Sequence, residues 1–170
     1  MITEIEPHIF MSSAINKTHV DNLIKLIHQC EGSSYNLEGV NEISKTDWVE
    51  PKELERKYWD YFSEHCFDNF ASDLLDHFKC DTLDVHNYWY QIYETGDFHH
   101  FHTHPCSHFS HVLYLKTGDE QLTDIPHANL QVRDAVGAVL TFPAFLKHRS
   151  LPVTKQKIIM AFNTSLQIQI

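Results

Sequence analysis

The spacing of apolar positions changes near residue 82, dividing the chain into a front part with a helical period and a back part with a strand period. After a short apolar stretch at His8 to Met11, Val20, Leu23, Ile24 and Ile27 fall at spacings of three, one and three. That is the pattern of one helix face, with Thr18 as the expected N-cap and Asp21 in the first turn. The polar run from Gly32 to Asp47 reads as loop. Pro51 then opens a longer helical pattern in which Tyr58, Phe62, Cys66, Phe70, Leu74 and Phe78 recur every four residues.

From Leu83 onward, short runs rich in valine, isoleucine, tyrosine and phenylalanine are broken at regular intervals by turn residues. The expected strands are DVHNYWYQIYE, DFHHFHTH, SHVLYLK, HANLQVRD, GAVLTFP, KHRSLPV and KIIMAFNTSLQI. Strands that follow helices predict a mainly β fold with N-terminal helices, in which the helices pack outside a double-sheet jelly roll. A length of 170 residues suits one domain spanning 1–170, with 1–82 as mostly helical support and 83–167 as the jelly-roll core.

Composition narrows the function classes. Hydrophobic residues make up 42% of the chain and no tract is of low complexity, which places it among globular proteins. The net charge of -10 argues against a nucleic-acid partner, since that affinity comes from neutralising phosphates with Lys and Arg. Cys30, Cys66, Cys80 and Cys106 are scattered without a CxxC pair and read as reduced thiols in a cytoplasmic protein. The chain shows no basic-then-apolar leader and no run of about 18 apolar residues, so neither a signal peptide nor a membrane span is expected.

Six of the fourteen histidines lie between Phe98 and His111. Strand alternation in GDFHHFHTHP puts His100, His102 and His104 on one face and His99, Phe101 and Thr103 on the other. Pro105 marks the strand end, leaving His104 at the mouth and His102 one step inside. Two such imidazoles can share an iron, zinc, copper or nickel ion if a third ligand arrives from elsewhere. In FPAFLKHRS, His148 follows an apolar strand and a short loop, where a jelly roll returns a late strand beside an early one. The candidate metal ligands are His102, His104 and His148, with His100 behind a ligand or lining the cavity. His99 faces away on this reading, His108 and His111 lie past the turn, and His8, His19, His28, His65, His77, His86 and His127 read as ordinary surface or core residues.

The segments WYQIYETGDFHHFHTHPCSHFSHVLYLK, GAVLTFPAFLKHRS and KIIMAFN resemble the core of the 2-oxoglutarate- and Fe(II)-dependent dioxygenases, particularly the small bacterial and phage-type, prolyl-hydroxylase-like members. The resemblance covers roughly Asn87 to Asn163. It implies a double-stranded β-helix, a cupin-like form of jelly roll, in which an HxD motif after one strand and a histidine after a later one hold Fe(II). It further implies a hydroxylase that uses 2-oxoglutarate as co-substrate and O2 as oxidant. On the family pattern the far carboxylate of 2-oxoglutarate would meet Lys157, nine residues after His148, with Lys155 as a near competitor. Tyr114 and Tyr90 would be phenolic donors to the same co-substrate. One residue departs from the pattern: His104 stands where the family carries a carboxylate. Three readings follow, namely a three-histidine iron site, a two-histidine site with an open position, and a catalytic zinc site.

The prime substrate on this resemblance is a protein side chain or a small metabolite. The alternatives are a three-histidine cupin-type metalloenzyme that does not use 2-oxoglutarate, and a non-catalytic metal-binding jelly roll. Trp48, Trp59 and Phe62 supply large apolar surfaces for ordinary core packing, for a cavity wall or for a homodimer face.

Overall fold

The computed structural model describes residues 1–126, 128–130, 132 and 135–168. Two strands, β1 (Ile2–Glu6) and β2 (Ile9–Ser12), precede helix α1 (Lys17–Gln29). The cap of α1 is Asn16, whose Oδ1 accepts the His19 N–H at 3.0 Å, so the helix begins ahead of the expected Thr18.

The segment expected as loop instead forms a hairpin, β3 (Ser33–Leu37) and β4 (Val40–Thr46). Its turn residues Glu38 and Gly39 both have positive φ, 49° and 83°, as a tight two-residue hairpin turn requires. Strand β3 is a sheet edge whose side chains are mostly exposed on both faces, and this explains why its sequence carries no alternation of apolar and polar residues.

Helices α2 (Lys57–Phe62) and α3 (Asp68–Phe78) are joined without a break by a π-helical turn, Ser63–Phe67. Pro51 lies in the turns before α2 rather than at a helix start. The π-turn accounts for the spacing of four. In a pure α-helix each step of four residues overshoots a full turn by about 40°, so five steps would carry the stripe roughly 200° around the axis. A wider turn in the middle takes up part of that drift, and Tyr58, Phe62, Cys66, Phe70 and Leu74 all remain buried.

The back part supplies β5 (Thr82–Tyr93), β6 (His99–His102), β7 (Phe109–Lys116), β8 (Val139–Pro143), β9 (His148–Ser150) and β10 (Lys157–Gln167). The strand expected at 127–134 falls partly outside the described residues, and its described members, 128–130 and 132, belong to no strand. An antiparallel eight-stranded sheet runs in the order β1-β2-β8-β7-β10-β5-β4-β3, and β6 and β9 form a separate two-stranded sheet facing it. A bridge between Asp124 and Arg149 extends the smaller sheet by one rung. The fold is a double-stranded β-helix with its helices outside the major sheet.

Period-two alternation assigns the two faces of that sheet. On β10, Ile158, Met160 and Phe162 join the helical core with Leu23, Tyr58 and Phe62. Lys157, Ile159, Ala161 and Asn163 point instead into the space between the sheets. Phe162 sits within 5.7 Å, centroid to centroid, of Trp59, Phe62 and Phe70, which fastens the helices to the sheet. Trp59 and Phe62 are thus consumed by the core, whereas Trp48 is 44% exposed.

Candidate metal and co-substrate site

His102 and His148 are direct partners on one rung of the β6–β9 ladder, so strand pairing closes the gap of 46 residues between them. His104 follows two residues past the end of β6. Its backbone is tied down where its N–H donates to the Ala144 carbonyl at 2.9 Å and the Ala144 N–H donates to the His108 carbonyl at 2.9 Å. One ring nitrogen from each of His102, His104 and His148 lies within 4.8 Å of the other two.

Backbone carbonyls set two of the tautomers. The His102 Nδ1 lies 2.9 Å from the His100 carbonyl, and the His148 Nδ1 lies 3.0 Å from the Leu146 carbonyl. A carbonyl only accepts, so both Nδ1 atoms carry the proton and both Nε2 atoms keep a lone pair. Backbone carbonyls that accept the other ring N–H are among the usual second partners of metal-binding histidines. The His104 ring is held by packing, with centroids 5.3 Å from Trp89 and 6.3 Å from Trp48. Burial pushes His148 down to about 3 and His104 to about 4, with neighbouring His102 adding to each, and lowers His102 as well. At neutral pH all three are uncharged donors, and three clustered imidazoles suit Fe(II) or another borderline divalent ion.

His99 corrects the alternation argument. Strand β6 carries a bulge: it advances three residues from His99 to His102 while β9 advances two from Ser150 to His148. The extra residue returns His99 to the face of His102, and the two rings stack with centroids 4.0 Å apart. Burial, followed by His102 and His100, pushes His99 down to about 2. His100 turns toward β4, where its Nδ1 lies 2.7 Å from Glu42 Oε2. His108 accepts the Leu166 N–H at 3.1 Å. His111 is a buried core histidine, bonded through both ring nitrogens to Thr141 and Thr164. His127 lies outside the described residues.

Lys157 enters the inter-sheet space from the start of β10 and is 1% exposed. Its Nζ donates to Ser150 Oγ and, at 3.4 Å, to the Leu122 carbonyl, and it lies 4.6 Å from the centre of the Tyr93 ring. Among the described residues it makes no ion pair, and desolvation, partly offset by Glu120, lowers it to about 8. Lys155, in contrast, pairs with Asp119 on the surface at 2.7 Å. Tyr114 shares the Lys157 cavity, and its hydroxyl is 2.6 Å from Thr123 Oγ1. Tyr90 does not: it belongs to the helical core, and its hydroxyl donates to the Glu31 carbonyl. The tyrosine of β5 that reaches the site is Tyr93, three residues on and opposite Lys157 in the ladder.

The histidines stand between two cavities. The inner one, about 40 Å³, is lined by Lys157, Tyr93, Tyr114, Ser150 and Thr123 beyond His102, His104 and His148. The outer one, about 160 Å³, has walls from Tyr35, Ile43 and Trp48, and shares Trp89, Gln91, His99, His102 and His104 with the first. Tyr35 and Ile43 come from the hairpin that the sequence did not reveal.

No family model matches the chain, and no curated protein does. Solved structures resemble it over nearly its whole length. The viral collagen prolyl hydroxylase of Paramecium bursaria Chlorella virus-1, in its 2-oxoglutarate complex, is 18% identical with a TM-score of 0.65, covering 95% of this chain and 97% of that one. A Pseudomonas putida prolyl-4-hydroxylase is 14% identical with a TM-score of 0.61, covering 92% of each chain. An oxidoreductase of the 2OG-Fe(II) oxygenase family from Burkholderia pseudomallei is 11% identical with a TM-score of 0.72, covering 94% of this chain and 86% of that one. The likeness is one of fold.

Proposed function

We propose that the chain is a 2-oxoglutarate- and Fe(II)-dependent oxygenase that hydroxylates a protein side chain or a small metabolite. The observation that carries the reading is Lys157, a buried cation that forms no ion pair among the described residues and feels only a partial offset from Glu120, in a cavity whose other end is three convergent imidazoles. A lysine so placed is costly to bury unless an anion completes it. A dicarboxylate that reaches a metal with one end and Lys157 with the other would satisfy both.

In this reading His102, His104 and His148 hold the metal. Lys157, with the hydroxyls of Ser150 and Tyr114, receives the far carboxylate. Bound Fe(II) supplies the oxidative chemistry, in which 2-oxoglutarate, O2 and a C–H bond become succinate, CO2 and a C–OH group. The protein's own work is positional. Backbone carbonyls aim the imidazoles of His102 and His148, the sheet interior excludes water from Lys157, and the outer cavity presents the prime substrate beside the histidines. The outer walls include Tyr35, Trp48, Trp89 and Ile43 and no Asp, Glu, Lys or Arg, which suits an apolar group carried on a peptide or metabolite. The four free cysteines fit a reducing cytoplasm, and no helix among the described residues is long and apolar enough to cross a membrane.

A second reading has its own observation. His104 makes the ligand set neutral, as suits a cupin-type metalloenzyme that does not use 2-oxoglutarate. One experiment separates the two: succinate release and 2-oxoglutarate binding by calorimetry with Fe(II)-loaded protein under controlled O2. The proposal expects both in wild type, loss of turnover in His148→Ala, and at least tenfold weaker co-substrate binding in Lys157→Ala. Metal binding by wild type without any 2-oxoglutarate affinity would favour the second reading.

A further inference from the structure

Glu42 on β4 is 3% exposed and has no lysine or arginine partner among the described residues. The other buried carboxylate among the described residues, Asp47, is neutralised by Arg56 at 2.7 Å. What Glu42 holds instead is β6. Its Oε2 accepts the His100 N–H at 3.1 Å, its two oxygens lie 2.9 and 2.7 Å from His100 Nδ1, and its own carbonyl accepts the Phe98 N–H at 3.0 Å. The His100 carbonyl in turn accepts the Nδ1–H of His102. A continuous path therefore runs from the buried carboxylate through His100 to a candidate ligand.

The charges complement one another. Three neutral imidazoles leave a bound divalent ion with both of its positive charges uncompensated, while the buried Glu42 carboxylate has only His100 as an ion-pair partner among the described residues. We propose that Glu42 is a positioning residue of the metal centre and its outer counter-charge, supplying through His100 and His102 the negative charge that a ligand carboxylate in place of His104 would have supplied directly. The inference rests on the reading of His102, His104 and His148 as metal ligands. Glu42, His99 and His100 also bring ligand atoms within 4.8 Å of one another. The Glu42 oxygens are already committed to His100, however, so direct ligation of a second ion is the rival that the test must reject.

The test compares wild type, Glu42→Gln and Glu42→Asp. Gln keeps the shape and removes the charge, whereas Asp keeps the charge on a shorter reach. Metal content and Fe(II) affinity would be measured by chelator competition, the Fe(III)/Fe(II) midpoint potential by mediated titration, and folding by the melting of the metal-free proteins. We expect one ion per wild-type chain. Glu42→Gln should bind roughly 10- to 100-fold more weakly, the usual cost of losing a partner that orients a metal ligand, with a more positive potential. Glu42→Asp should return the potential toward wild type.

Glu42→Gln with unchanged affinity and potential would overturn the inference. So would an Asp variant whose potential follows Gln rather than wild type, because the effect would then be packing and not charge. Two ions per wild-type chain, one of them lost in Glu42→Gln, would make Glu42 a ligand and overturn it as well. A wild type that binds no divalent ion would overturn the proposed function along with it, whereas the other outcomes overturn this inference alone.

Discussion

Lys157 is the residue whose chemistry the fold has altered most usefully. Held at about 8 by desolvation, it is charged at pH 7 and loses its proton between two and three pH units earlier than an exposed lysine at 10.5. A bound carboxylate favours the charged form, so 2-oxoglutarate affinity should be flat below pH 8 and fall above it by up to about tenfold per pH unit. Calorimetry from pH 6.5 to 9.5 would show this. Lys157→Arg, whose guanidinium stays charged throughout, should remove the high-pH fall even if its bulk weakens binding overall. A wild-type profile flat to pH 9.5 would mean that some other group receives the carboxylate. Linkage requires the mirror effect on the metal-free protein. The lowered value penalises the folded state below pH 8, and the penalty lifts as pH rises from 8 toward the unfolded lysine's 10.5.

Among the elements, the junction of β4 with the helices depends on one buried cluster. Asp47 is fully buried and accepts from Arg56 Nε at 2.7 Å, the Tyr58 hydroxyl at 2.6 Å and the Tyr90 N–H at 2.9 Å. Burial raises the Tyr58 hydroxyl far above its ordinary range, and the adjacent Asp47 charge adds to this, so Tyr58 stays a neutral donor. Removing one partner leaves an uncompensated charge, and Asp47→Ala should cost about 3–5 kcal/mol in a urea melt. Arg56→Met should cost less, because Tyr58 and the Tyr90 N–H still serve the carboxylate. Neither Asp47 nor Arg56 was identifiable from spacing, since both lie between the periodic segments. Apart from the strand expected at 127–134, the strands from 83 onward were legible because they alternate against two buried faces, and HxH with a distant histidine was legible because pairing in a jelly roll is regular. The outward-facing hairpin, with its polar edge strand, was not. Local alternation also fails at a bulge, which is why His99 was placed on the wrong face, and it does not say which parity of β5 faces inward, so Tyr90 stood in for Tyr93.

At the scale of the whole molecule, the two sheets are unequal. Eight strands carry the helices and most of the buried apolar side chains, while the opposing wall is β6, β9 and one added bridge. The three candidate ligands lie on or beside that thin wall, so the ligand cluster borrows little rigidity from the core. Local opening should therefore be easiest there. A divalent ion tying His102 and His104 to His148 would act as a rivet across the β6–β9 ladder. Amide hydrogen exchange should show residues 99–104 and 148–150 exchanging well ahead of β5, β7 and β10 in the metal-free protein, and slowing selectively on metal loading, with the large sheet unchanged. Equal protection of both sheets without metal would show that the wall is held by its backbone alone. If the rivet holds, metal occupancy and closure of the chamber are one event.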